Sequence, residues 1–316
     1  MITASEQQQI TVSVVICAYT ERRWDDLVAA VASLHRQTQP PLETIVVIDH
    51  NPGLAVRARR DLAAVTVVEN AETQGLSGAR NTGVRVARGD VIAFIDDDAV
   101  ADGDWLEQLT RPYDDPSVMA VGGTIEPLWP DARPSMLPAE FDWVVGCTYE
   151  GMPSDTSRVR NVIGANMSLR RSVFDVVGGF RTDVGRVGTL PLGCEETELC
   201  IRVRQLMPGS HVIFEPRARV GHRVTVERTR WDYFRSRCYA EGLSKAVVSR
   251  HAGREDGLES ERTYATRTLP RGVLRGIGDA LFRGQVAGLL RAMAIVAGLT
   301  WTVAGYTVGT ARARRA

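Results

Sequence analysis

Lysine is nearly missing from this chain: Lys245 is the only one among 38 basic residues, so any chemistry that needs a lysine has a single candidate. Net charge is missing too, because 38 acidic residues balance the 38 basic ones, and no global field favours nucleic acid as a partner. The five cysteines (Cys17, Cys147, Cys194, Cys200, Cys238) are odd in number and contain no C-x-x-C pair. That argues against a zinc knuckle, a redox motif or a disulfide framework, and for reduced thiols in a cytosolic setting. Met1 to Gln9 carries neither a basic nor an apolar leader region, so the catalytic part is expected to stay inside the cell. No internal repeat or low-complexity tract stands out. With 44% hydrophobic and 24% charged residues, the 316 residues are enough to bury a large core without metal or disulfide staples.

What is present begins with alternation. Val12 to Ala18, Thr44 to Ile48, Val65 to Val68 and Val91 to Ile95 are short, β-branched apolar runs that read as buried strands. Helical periodicity over Asp25 to Leu34 and Ser77 to Val86 separates them. The pattern predicts an α/β fold with a mostly parallel, Rossmann-like sheet, whose ligands bind at the carboxyl ends of the strands. Tyr19, Glu21, Asp49 and Asp96 to Asp98 all fall at such ends. From about Arg111, prolines at 112, 116, 127, 130, 134 and 138 break the pattern into a second lobe. There Val162 to Leu169, a helix over Glu195 to Leu206 and a strand over Val212 to Phe214 suggest a mixed sheet. The expected organisation is 1–110, 111–237 and a helical extension over 238–316. Within the extension, 292–309 is an uncharged apolar run flanked by Arg291, Arg312, Arg314 and Arg315. That run is near the minimum length that spans a bilayer, and it reads either as a membrane-associated helix or as one packed on the catalytic part.

The chemistry centres on Asp96-Asp97-Asp98. Three carboxylates leaving one buried strand repel each other unless a hard divalent cation, Mg²⁺ or Mn²⁺, joins them and bridges to a diphosphate. A solvated turn or helix cap is the plainer alternative. His222 is a candidate third ligand beside these carboxylates, with a packing role as its alternative. Gly75 to Gly83 combines small residues with Arg80 and Asn81, reading as a phosphate-side loop or simply as a close-packed helix start.

Taken in order, Cys17-Ala18-Tyr19-Thr20-Glu21, Asp49, Gly78-Ala79-Arg80-Asn81, Gly89-Asp90, Asp96 to Asp98, Gly178-Gly179-Phe180 and Glu195-Glu196-Thr197-Glu198-Leu199 resemble the family 2 glycosyltransferases over roughly Val12 to Arg237. The resemblance implies a GT-A fold and a metal-dependent inverting transfer from a nucleotide-sugar donor. It places Ala18, Tyr19, Glu21 and Asp49 around the nucleoside, Asp96 and Asp97 near the nucleotide, Arg80 on the diphosphate side, and Asp98 as principal metal ligand. It makes Glu196 the catalytic base, with Glu195 as the alternative. Trp143, Asn166, Gly179 and Phe180 become acceptor-side candidates. Thr20 and the Asp49-His50-Asn51 triplet depart from the commoner pattern, so the preference for a UDP-sugar is implied only weakly. Trp143 to Cys147, Gly164 to Met167 and Arg237 to Lys245 resemble an archaeal and actinobacterial branch labelled as glucuronosyltransferases of glucosyl dolichyl phosphate. With the apolar C-terminal run, that branch implies a glycan or lipid-linked acceptor at the cytoplasmic face of a membrane.

Other functional classes fit less well. A dehalogenase-type phosphatase needs a lysine before a later acidic pair, and the sole lysine follows Glu195-Glu196. A sugar-phosphate nucleotidyltransferase needs a basic, glycine-rich loop after the first strand, where Ala18-Tyr19-Thr20-Glu21 is acidic. A non-enzymatic membrane scaffold would keep the sheet and lose metal-dependent nucleotide binding.

Overall fold

The computed structural model describes residues 10–185 and 192–313; the N-terminal stretch through Gln9 and the flanking Arg314 and Arg315 lie outside them. The strands are β1 Val12–Ala18, β2 Glu43–Ile48, β3 Thr66–Glu69, β4 Val91–Asp96, β5 Ala99–Ala101, β6 Val118–Leu128, β7 Ser157–Arg158, β8 Asn166–Arg170 and β9 His211–Arg223. The helices are α1 Trp24–Leu34, α2 Pro52–Asp61, α3 Leu76–Val86, α4 Trp105–Thr110, α5 Arg171–Val177, α6 Glu195–Leu206, α7 Trp231–Ala252, α8 Arg254–Gly257, α9 Glu259–Thr263, α10 Leu269–Arg283 and α11 Val286–Ala313.

All nine strands join one sheet, in the order β3-β2-β1-β4-β8-β6-β9-β5, with β7 added on β9. The β3-β2-β1-β4 half is parallel throughout. The other half is mixed, since β8 runs antiparallel to both neighbours while β6 and β9 are parallel. Strands in the parallel half read as unbroken apolar runs because both faces are covered. In β1, Val14 and Ile16 meet α1, α2 and α4, whereas Val15 turns to the opposite core with α3, α5 and α6. Gly83 lets α3 come close, since a Cβ there would stand 2.6 Å from Val15 Cγ1.

One difference from the sequence reading matters for function. The strand expected to stop at Phe214 continues to Arg223, because Pro216 to Ala218 bulge out between the paired residues Glu215 and Arg219. A bulge tolerates proline where a regular ladder does not. The continuation carries His222 to the β5 edge of the sheet, opposite Ala99.

The C-terminal helices pack on the catalytic sheet's helical layer. Helix α7 runs through residue 237 without interruption, and α11 lies along it. Their backbones touch: a Cβ at Gly242 would sit 2.0 Å from the Thr302 carbonyl, and one at Gly305 would sit 2.1 Å from that of Tyr239. Helix α10 folds back on α11 through a Gly276 and Gly288 pair, where an added Cβ would stand 2.5 and 2.4 Å from the opposite carbonyl. Val286–Arg312 contains an 18-residue stretch with a mean hydropathy of 1.7 and is, among the described residues, the one helix long and apolar enough to cross a membrane.

Candidate active site

Strand β4 ends at Asp96, and Asp97 with Asp98 forms the turn into β5. Because Ala99 pairs with His222, this turn sets Asp98 against the imidazole, with His222 Nε2 3.1 Å from Asp98 Oδ1. Asp96, Asp98 and His222 each offer a ligand atom, and these atoms lie within 4.8 Å of one another. Both Asp98 oxygens and Asp97 Oδ2 are buried without an aligned hydrogen bond, despite the short approaches around them. Buried carboxylate oxygens left unbonded are costly. Two carboxylates and an imidazole are the donor set that suits Mn²⁺ and is compatible with Mg²⁺, so these residues fit a divalent ion.

Two arginines that sequence reasoning missed share the cluster. Arg23 Nη1 lies 2.7 Å from Asp97 Oδ1 and 3.2 Å from Asp98 Oδ2, and Arg228 Nη2 lies 3.5 Å from Asp98 Oδ2. Burial would raise the Asp98 carboxyl, but His222, Arg23 and Arg228 outweigh it and hold the group well below the usual carboxylate range. Asp97 goes the other way, to about 7, because burial prevails over Arg23. Arg23 carried a signal, since it follows Glu21 at the carboxyl end of β1. Arg228 carried none; it sits in a single 3-10 turn, Val226–Thr229, beyond β9.

Across the cavity, α6 begins at the acidic pair, and acidic groups in a first helical turn meet the positive end of its dipole. Glu195 is buried and tied by Oε1 to Arg80 Nη1 at 2.6 Å. Arg80 also donates to the Gly164 carbonyl at 3.0 Å and stands 3.7 Å from Asp96. The arginine expected on the diphosphate side therefore bridges the two acidic clusters. Glu196 has no ion-pair partner among the described residues and receives only the Thr197 hydroxyl at 3.2 Å. Burial and the neighbouring Glu195 carboxylate push its carboxyl up to about 8, against the pull of Arg80.

Asp96, His222, Arg80, Glu195, Glu196 and Trp143 line one cavity of about 1030 Å³. The residues expected around a nucleoside sit beside it, at the carboxyl ends of β1 and β2. The Ala18 carbonyl accepts from Asp49 N at 2.8 Å, Tyr19 is 38% exposed, and Glu21 is at the surface. The Asp49 carboxylate accepts from Asn70 at 2.7 Å and from Gly75 N at 3.0 Å, and pairs with His50 at 2.8 Å, so it orders the Gly75 loop.

Four placements bear on the sequence expectation. Asp97 is buried against Arg23 and does not reach the cavity wall. Asn166 is fully buried and spent, donating to the Thr124 and Ala218 carbonyls at 2.9 and 2.8 Å and accepting from Trp105 Nε1 at 2.8 Å. The Gly179-Phe180 turn is clamped by Asn81, whose amide oxygen accepts from Phe180 N at 2.7 Å. The Phe180 ring then lies under Arg80, 5.5 Å away, so it supports that guanidinium without facing the cavity.

The comparisons with known proteins agree with this geometry. The Glycosyl transferase family 2 model matches residues 13–178. A protein of Haloferax volcanii named glucosyl-dolichyl phosphate glucuronosyltransferase is 39% identical over 241 residues, covering 75% of this chain and 77% of its own. Among solved structures, the mannosyltransferase PcManGT from Pyrobaculum calidifontis, in complex with GDP-Man and Mn²⁺, has a TM-score of 0.57 at 19% identity, covering 94% of this chain and 88% of that one. GalNAc-T7 with UDP, GalNAc and Mn²⁺ has a TM-score of 0.54 at 19% identity, covering 80% of this chain and 55% of that one. Likeness at that identity speaks for the fold, which is GT-A. The chain belongs to the family 2 glycosyltransferases.

Proposed function

We propose that this glycosyltransferase moves a sugar, with inversion, from a nucleoside diphosphate sugar to an acceptor hydroxyl, with Glu196 as base and with Mn²⁺ or Mg²⁺ held by Asp96, Asp98 and His222. A cation bound there would stabilise the negative charge that develops on the departing diphosphate. The acceptor oxygen attacks the anomeric carbon as the bond to the diphosphate oxygen breaks, and its proton passes to the Glu196 carboxylate. The observation that carries this reading is the pairing of Glu195 with Arg80, which leaves Glu196 as the carboxylate free to accept a proton on the wall that it shares with Asp96 and His222. Arg80 keeps the two clusters in register and lowers the cost of gathering their charge. Arg23 and Arg228 are placed to meet diphosphate oxygens once Asp98 is shared with a cation. Ala18, Tyr19, Glu21 and Asp49 would form the nucleoside side, and a UDP-sugar is the favoured donor.

The acceptor is proposed to be a glycan or lipid-linked, in keeping with the name of the Haloferax volcanii relative. Support for a membrane surface comes from the α10 and α11 hairpin, where Leu281, Phe282 and Val286 are 72%, 87% and 73% exposed. The cytoplasmic face is the proposed side, and the segments 1–110, 111–237 and 238–316 are the proposed donor, acceptor and membrane-facing parts.

The test pairs two substitutions. Asp98→Ala should abolish Mn²⁺-dependent UDP binding in calorimetry. Glu196→Gln should keep that binding and lower turnover by about a hundredfold or more, the usual scale of a lost general base. Near-normal turnover in Glu196→Gln would remove the base assignment.

A further inference from the structure

The only lysine in the chain sits on the wall of the same cavity, in a group of charges that the transfer reaction does not use. Arg237, Glu241 and Lys245 recur at four-residue intervals on α7, so one helical stripe presents all three, and their side chains are only 13%, 14% and 11% exposed. Arg237 pairs with Glu241 at 2.8 Å, and Lys245 with Glu241 at 3.4 Å and Glu261 at 2.7 Å. Arg160 grips Glu261 with both terminal nitrogens, at 2.5 and 2.8 Å. Three cations thus face two carboxylates. Both glutamates stay charged: burial would raise them, but the cations hold each at about 2.

A network that served only to stabilise the fold would be expected to close its charge, because an uncompensated buried cation is expensive. This one also keeps unspent donors. Nε and Nη2 of Arg237 make no hydrogen bond among the described residues, and its guanidinium lies over the Trp143 ring at 5.6 Å. The Lys245 ammonium has three N–H groups and two carboxylate neighbours.

We infer that Arg237 and Lys245 form an oxyanion subsite that takes a phosphate ester carried by the acceptor. This rests on the proposed transferase reading and extends it to the acceptor's chemical class. Position supports it. Cys194 donates to Glu241 at 3.3 Å, whereas the next residue, Glu195, turns to Arg80 and the Asp96 side. The subsite therefore lies beyond Glu196 from the donor diphosphate. Leu299, Val303 and Tyr306 of the apolar helix α11 line the same cavity, so an amphiphile could leave its phosphate at α7 and run its stem along α11.

Calorimetry with the donor side already filled by UDP and Mn²⁺ tests this, using farnesyl phosphate, farnesol and glucose 1-phosphate as probes. The wild-type chain should bind farnesyl phosphate about tenfold or more tightly than farnesol, the scale of one charge-assisted hydrogen bond. Lys245→Gln and Arg237→Gln should each erase that preference, and Lys245→Arg should keep it. Glucose 1-phosphate binding as tightly as farnesyl phosphate would support the subsite and assign the phosphate to a water-soluble acceptor. Equal affinity for farnesyl phosphate and farnesol in the wild type, or a preference that survives both Gln variants, would overturn the inference. Failure of UDP and Mn²⁺ to bind the wild type would instead count against UDP as the donor nucleotide of the proposed reading. Melting curves establish that each variant folds, and if Lys245→Gln does not, Arg237→Gln and the wild-type comparison decide.

Discussion

Glu196 carries the proton chemistry of the account, and its surroundings oppose its ionisation. With the carboxyl raised by burial and by Glu195 to about 8, only the deprotonated form accepts a proton, so kcat/KM should climb with pH and level off above about 8. At pH 6 roughly one hundredth of the groups would be ionised, and a pH–rate profile in saturating metal should show that loss. A flat profile from pH 6 to 9 would contradict the assignment. The same shift sets a stability term of definite sign. Because the folded pKa lies above the unfolded value, the contribution is full below about 4.5 and disappears as pH rises through about 8. The acidic pair itself was legible in the sequence, but the choice between its members was not. That choice depends on Arg80, which reaches Glu195 across 115 positions of chain. Arg23 and Arg228 escaped for a similar reason, since no spacing rule links them to Asp98.

Elements were legible where burial wrote a pattern. Strands β1, β2 and β4 appear as apolar runs because both faces are covered, and α6 was delimited correctly by its acidic start and periodicity. Strand β9 outruns its sequence pattern because Pro216 looks like a terminator, and a bulge leaves no mark in one sequence. The candidate ligand His222 lies in this extension of β9, which brings it to Asp98. The apolar run at 292–309 was visible, but the close contact that fastens it to α7 was not, because glycines look alike whether they face lipid or a neighbouring backbone. Gly305→Leu forces a side chain against the Tyr239 carbonyl, and overpacking of this kind typically costs about 1–3 kcal/mol. Its melting temperature should fall by about 2–5 °C, whereas Gly103→Ala, where a Cβ meets nothing within 4 Å, should leave melting nearly unchanged. A Gly305→Leu variant that melts like the wild type would mean that α11 is not held against α7.

For the whole molecule, the cavity draws its walls from every part of the chain. Asp96 comes from the parallel half of the sheet, His222 from the mixed half, Glu196 from the start of α6, and Tyr306 from the C-terminal hairpin. Helix α11 therefore closes the site while the far side of the hairpin faces outward with Leu281, Phe282 and Val286. From residue 269 to 312 the hairpin carries five arginines and one aspartate, a balance that suits an anionic lipid surface. The full chain should sediment with vesicles containing phosphatidylglycerol, and the Leu281→Glu, Phe282→Glu double variant should do so several-fold less. Equal sedimentation would leave the exposed hairpin without this role. The central claim, metal-dependent transfer from a nucleotide sugar, is tested most directly by nucleoside diphosphate release from a panel of nucleotide sugars, with Mn²⁺ or Mg²⁺ and with a chelator. Release from at least one donor is expected, abolished by the chelator and by Asp98→Ala. Release that persists unchanged in the chelator, or no release from any donor with or without acceptor lipid, would contradict it.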